Sequence, residues 1–246
     1  LDRHGVSGLP WWVAGLLALL TLVALRLPAV AAAPRARASV SIGQRLAEPR
    51  VRAFFLSAFL MLFAHAALYA FFSLYLAARG YSKTAIGLVW ALGVLAEIAV
   101  FWLQRGLFQR FGALPLLRAS LAVAALRFLL IGASAGWLPA ILLAQLAHAV
   151  TFGIHHSATI ATLQEWFEPP QHARAQALYV MVGYGLGGSA GVLVASWVWT
   201  AVSPDATFVV AGLAAGLGWL ALRRVVPSGA PDGRVRNGDR TEETPG

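Results

Sequence analysis

Residues 53–77 read AFFLSAFLMLFAHAALYAFFSLYLA, twenty-five positions without one Asp, Glu, Lys or Arg. About 20 apolar residues in helical conformation cross a ~30 Å hydrocarbon core. The stretch shows no period-2 alternation, so a barrel strand is not expected. Lipid offers the backbone no hydrogen-bond partner, and a helix is the form that satisfies its own N–H and C=O groups. These residues therefore predict a transmembrane helix.

The same reading extends outward in both directions. Further apolar blocks cover residues 10–33, 84–103, 114–133, 138–163, 175–202 and 206–222, which makes seven predicted spans. The whole chain of 246 residues is 59% hydrophobic and 12% charged, about half the charged share of a soluble domain. The predicted fold class is an all-α, polytopic membrane helix bundle. Its first expected environment is the lipid bilayer.

Charge sets the direction of the spans. The linker at residues 34–52 holds Arg35, Arg37, Arg45, Arg50 and Arg52 against one acid, Glu48. By the positive-inside rule it is cytoplasmic. Alternation then places the 104–113 loop, with Arg105 and Arg110, inside, together with Arg174 and the Arg223–Arg224 pair. Loops around Gly136 and Asp205 fall outside and carry no basic residue; Arg79 and Lys83 are the exception. A C-terminal tail at 227–246, rich in Gly, Pro and charge, reads as a disordered cytoplasmic segment. One span, a long basic linker and six closely spaced spans suggest that residues 1–33 end a preceding bundle. Residues 53–226 then form a six-helix unit. Leu1 is not an initiator Met, and the layout predicts a piece of something longer, whose N-terminal helix bundle would be a partner of this one.

Several chemistries are not expected. There is no cysteine, hence no disulfide, thiolate metal site or thiol nucleophile. The net charge of +9 lies mostly in arginines beside apolar blocks, where topology explains it and nucleic acid does not. His155 and His156 are adjacent and point about 100° apart on a helix, so they do not form an i, i+4 metal pair. Gly183-Tyr-Gly185-Leu-Gly-Gly188 matches GxGxxG but lies within a span, without the strand that a dinucleotide site needs. Gly183, Gly187 and Gly191, with Gly212 and Gly216, instead form small-xxx-small stripes that let helices pack closely. Neither a metal, a cofactor nor an enzymatic activity is expected.

Charged groups inside a membrane cost about 2.5–3.5 kcal/mol on insertion scales and so need a reason. Glu97 and Arg127 lie within spans, and His65 and His148 are near the middle of theirs. At ~1.5 Å per residue all four fall within roughly 10 Å of one depth. Two readings of Glu97 and Arg127 stand side by side. They could form a structural ion pair between neighbouring helices, or they could serve a proton and an anionic substrate. His65, Tyr69 and Phe72 recur at i, i+4 and i+7 on one helix face; packing explains Phe72, whereas the polar groups of His65 and Tyr69 favour a cavity.

The layout resembles the sixth helix, central loop and C-terminal half of a major facilitator superfamily transporter. Phe63-Ala-His65-Ala-Ala-Leu-Tyr69-Ala-Phe-Phe-Ser-Leu-Tyr75, followed by Arg79-Gly-Tyr81-Ser82, is similar to the 3-phenylpropionate transporter group, which is related to lactose permease. So are Ile86-Gly-Leu-Val-Trp90-Ala-Leu-Gly-Val-Leu-Ala-Glu97, Arg127, Gln145-Leu-Ala-His148 and Gln176-Ala-Leu-Tyr179. Thr151 stands where lactose permease carries a coupling carboxylate, so the chain departs from that protein at its proton site.

The resemblance implies a multi-pass protein of the bacterial inner membrane that moves a small organic acid by proton symport, the acid being aromatic, as in 3-phenylpropionate. A sugar or nucleoside-type symporter of the same superfamily is the alternative. The expected substrate and proton pathway is His65, Tyr69, Glu97, Arg127 and His148. Two other classes compete. A membrane-embedded hydrolase or metalloenzyme lacks a visible constellation and long aqueous loops. A non-transporting scaffold or sensor would tolerate apolar residues at all five positions.

Overall fold

The computed structural model describes residues 8–26, 40–134 and 136–225, omitting the side chain of Leu9. The predicted tail at 227–246, the end of the first span at 27–33 and the start of the linker at 34–39 lie outside the described residues. Among the described residues the structure is helical, with no strand. Two compact units are separated near Arg37. The first contributes α1, Leu9–Arg26, an apolar helix of 18 residues.

The second unit begins with a short helix, α2, at Ile42–Ala47. Six helices long and apolar enough to cross a membrane follow: α3 Pro49–Ala78, α4 Lys83–Phe111, α5 Ala113–Ala133, α6 Leu138–Trp166, α7 Pro169–Ala201 and α8 Pro204–Leu222. Pro49, Pro169 and Pro204 open their helices, where a missing N–H costs nothing and the fixed φ suits the first turn. Ser82 and Ser203 cap α4 and α8, their hydroxyls accepting from Ala85 N at 3.2 Å and Ala206 N at 3.0 Å.

The boundaries correct the sequence reading in two places. The expected loop at 104–113 is mostly helix, because α4 runs to Phe111 and stops at Gly112, whose φ of +76° favours glycine. Apolarity ends there before the hydrogen-bond ladder does. The linker at 34–52 is likewise partly helical, since Ser41 and Gln44 form a capping box that starts α2 and Pro49 opens α3 before residue 53.

Within the six-helix unit, α8 packs chiefly on α5 and α3, and α3 also packs on α7. The expected glycine stripe works at the α3–α7 contact: a Cβ on Gly187 would lie 2.6 Å from the Phe59 carbonyl oxygen, so only glycine admits that approach. Both α6 and α7 contain a π-helical stretch, at Ala149–Ile154 and Val180–Gly187. Such widened turns often occur at functional sites. α3 is the most enclosed helix, whereas α4 and α7 bury only 17% and 22% of their apolar windows against 61% for α3.

Candidate functional site

Four helices converge on one polar cluster inside this apolar unit. α5 supplies Arg127, which is 2% exposed. Its guanidinium donates from Nε to the Ala144 carbonyl at 2.6 Å, from Nη1 to Thr151 Oγ1 at 3.0 Å and from Nη2 to Gln145 Oε1 at 2.9 Å. All three acceptors are neutral and lie on α6. No carboxylate among the described residues pairs with it. Its plane sits 5.2 Å from the Phe128 ring.

Gln145 in turn donates to the Val89 carbonyl on α4 at 3.3 Å. This anchors α4 beside α6 and brings Glu97 to His148, Oε2 to Nε2, at 3.8 Å. Of the two readings of Glu97 and Arg127, the ion pair is therefore not formed among the described residues; the acid's neighbour is the imidazole. The structural reading of that pair loses its geometry.

α3 contributes His65 and Tyr69. His65 Nδ1 donates to the Met61 carbonyl at 3.0 Å, which leaves Nε2 as an acceptor. That Nε2 and His148 Nδ1 are buried without a hydrogen-bond partner, and the two rings lie 6.0 Å apart. Buried polar atoms in this state are normally met by water or by a ligand. Two orphan nitrogens beside one uncompensated guanidinium make a site able to accept an anion and move a proton.

Aromatic rings form its apolar wall. His148 stacks on Phe152 at 5.4 Å, His65 meets Phe128 edge-on at 5.2 Å, and Tyr69 stacks on Trp90 at 6.2 Å. Tyr69 is 51% exposed, and its other side borders a largely apolar groove of about 360 Å³ between α3 and α7, lined also by Leu62, Ala66, Tyr184 and Val192. Phe72 is fully buried between Trp90 and Phe208. It packs, as its apolar ring led one to expect.

The geometry thus gathers His65, Tyr69, Glu97, Arg127 and His148 in one place. It adds Gln145, Thr151, Trp90 and Phe152, which sequence reasoning either quoted without a role or passed over. A signal existed for Gln145: a carboxamide deep in a span needs partners as a charge does. None of the His, Asp and Glu clusters among the described residues could hold a metal.

A second polar cluster was missed. At the ends of α3 and α8, Arg79 pairs with Asp205 at 2.5 Å, and the Tyr75 hydroxyl lies within hydrogen-bond distance of Asp205 Oδ1 at 2.8 Å and the Ile131 carbonyl at 2.9 Å. Arg79 also lies over the Tyr75 ring at 4.5 Å, and Tyr81 donates to the Gly136 carbonyl. Arg79, the exception to the charge alternation, has a carboxylate waiting for it.

Comparison with known proteins points one way. A family model described as the MFS_1 like family matches residues 1–210. A probable 3-phenylpropionic acid transporter of Escherichia coli strain K12 is 35% identical over 130 residues, which is 53% of this chain and 33% of that protein. A crystal structure of a mutant of the nucleoside transporter NupG aligns with a TM-score of 0.63 at 16% identity, covering 85% of this chain and 58% of that one. The matched part is thus about a third of the curated relative's length, and the solved structure supports the fold alone.

Proposed function

The chain belongs to the MFS_1 like family, and from that premise we propose that it moves a small organic acid, aromatic in type, across the membrane together with a proton. The observation that carries this is Arg127: a fully buried guanidinium whose partners are all neutral. A charge in that setting calls for an anion. A substrate carboxylate meets the need, and the planar guanidinium suits it. His65, Tyr69 and the rings of Trp90 and Phe152 supply the apolar wall for the rest of the molecule. The curated relative's printed name, a 3-phenylpropionic acid transporter, supports an aromatic acid.

Glu97 is the proton carrier in this reading, and His148, 3.8 Å away, is its exchange partner. In this reading α1 ends a preceding helix bundle. Transporters of this architecture move two bundles around one central site. The positive-inside rule puts α2 and the C-terminal end on the cytoplasmic side of a bacterial inner membrane.

The test is a double-mutant cycle on 3-phenylpropionate binding to the assembled transporter. Arg127→Ala is expected to remove binding, Glu97→Gln to retain it, and the double variant to bind as poorly as Arg127→Ala. A double variant that binds like the parent would mean that Arg127 serves only to neutralise Glu97.

A further inference from the structure

Glu97, Phe101, Gln104, Arg105 and Phe108 recur at i, i+4, i+7, i+8 and i+11, so they share one face of α4. Gly153, Ser157 and Ala161 recur at i, i+4 and i+8 on α6. The two faces touch at the top: a Cβ on Gly153 would lie 3.4 Å from Glu97 Cγ and 3.8 Å from Phe101 Cζ. One to two turns further along α4 the helices part. They leave an open groove of about 530 Å³ lined by Phe101, Gln104, Arg105, Phe108, Ser157 and Ala161, a volume within the ~300–1,000 Å³ usual for small-molecule sites.

Two polar groups in this groove lack a match. Gln104 Oε1 is buried and has no hydrogen-bond partner. Arg105 has no acidic partner among the described residues. The proton-and-anion site described above uses neither. A carboxamide, a hydroxyl and a free guanidinium between two phenyl rings can hold a small amphiphilic anion; the amide presents its NH2 end after a simple flip.

We infer that this groove is a second subsite for the transported acid, on the side of the membrane where α4 ends. Arg105 receives the carboxylate, Gln104 and Ser157 hydrogen-bond to it, and Phe101 and Phe108 cover the apolar body. The subsite rests on the reading that the substrate is an organic acid. It lies ~12 Å along α4 from Glu97, eight residues at ~1.5 Å each. Arg105 is exposed, so it holds an anion less firmly than buried Arg127 does and suits capture and release.

The test uses the assembled transporter in vesicles of both orientations, with the KM for 3-phenylpropionate measured from each side. Arg105→Gln is expected to raise KM roughly fivefold for substrate presented on the α4 C-terminal side and to leave the KM from the opposite side unchanged. Arg105→Lys should recover part of that loss. Arg110→Gln, which removes a charge of the same helix outside the groove, should change neither. Equal effects of Arg105→Gln and Arg110→Gln would reduce the site to surface charge and overturn it. So would an Arg105 effect that disappears in vesicles without anionic lipid, which would assign the groove to a lipid headgroup. Normal sided KM values in Arg105→Gln would overturn the subsite and leave the proposed function standing. A parent protein that transports no carboxylate from either side would overturn both.

Discussion

Arg127 and Arg79 are both arginines that tie helices together, and they are held in opposite ways. Arg79 has a carboxylate at 2.5 Å, a tyrosine ring beneath it and a partly exposed position at the end of α3. Its charge is balanced and its side chain is partly exposed. Arg127 is buried mid-bundle, and its three partners are two side-chain oxygens and a backbone carbonyl. The first arrangement is what a structural ion pair looks like in this protein. The second satisfies hydrogen bonds but leaves the charge unanswered, which is a poor way to build stability and a good way to prepare for an anion.

The largest expected effect follows from that contrast. Arg127→Met keeps the length and removes the charge. Losing one partner of a desolvated charged contact costs about 2–5 kcal/mol, so 3-phenylpropionate binding should fall by about a hundredfold or more. The melting temperature should move little, because removing an uncompensated buried charge offsets the three acceptors left empty. Thermal unfolding and equilibrium binding on the same sample decide it. Lower stability with affinity intact would put Arg127 in the same class as Arg79.

Glu97→Gln comes next. The carboxylate sits near an imidazole, with a side chain 17% exposed. An amide of the same shape retains the hydrogen-bonding surface and cannot carry a proton. Accumulation of substrate against its gradient should cease while exchange of labelled for unlabelled substrate continues. Persistent uphill uptake would move the proton to His65 or His148.

Much of this was legible in the sequence, and what was missed has physical reasons. The six long helices follow from the bilayer's demand on the backbone, so 53–77 sufficed to set the class. The ends were less legible: Gln104, Arg105, Gln109 and Arg110 lower the hydropathy, yet nothing in them interrupts a helix until Gly112. The polar residues at the site were visible as costs inside spans. Their pairing was not, because it depends on how α4 is set against α6, which the Gln145–Val89 contact helps to fix about two turns from Glu97. The π-helical stretch beginning at Ala149 shifts the face that Thr151 presents, and no residue pattern announces it. Arg79 was read as a topological exception because Asp205 is 126 residues away in sequence.

Asp205→Asn should act in the reverse sense from Arg127→Met. It removes the counter-charge of Arg79 but leaves the Tyr75 hydroxyl its bond to the Ile131 carbonyl. With the Asp205 side chain 43% exposed, the loss is expected to be only about 1 kcal/mol. Melting temperature should fall and substrate affinity stay as it was. A loss of affinity without a loss of stability would mean that the clamp takes part in transport.

The smallest expected effect concerns a third set of arginines, at the opposite end of α3. Glu48 bridges Arg45 at 3.0 Å and Arg50 at 2.8 Å, while Arg45 also reaches Glu168 at 3.9 Å ahead of α7. With the Gln171 amide donating to the Val40 carbonyl at 2.6 Å, these contacts hold α2 against the six-helix unit. The hydrogen bond from Arg50 and then that from Arg45 keep the Glu48 carboxyl below the ordinary value of 4.5 despite some burial. A depressed carboxylate contributes stability that is fully present above its free value and is lost as pH falls through its value in the folded protein. Docking of α2 should therefore be constant at neutral pH and loosen only below about pH 4.5. The chain has no cysteine, so Gly43→Cys, whose new side chain meets open space, gives a single spin-label site on α2. Its label should be restrained at pH 7 and gain mobility in acid. Adding Glu48→Gln should loosen it slightly at neutral pH, because exposed pairs are worth little and salt screens them, and leave little further change in acid. If the acid response survives Glu48→Gln, another carboxylate holds the linker, and Glu168 is the one within reach.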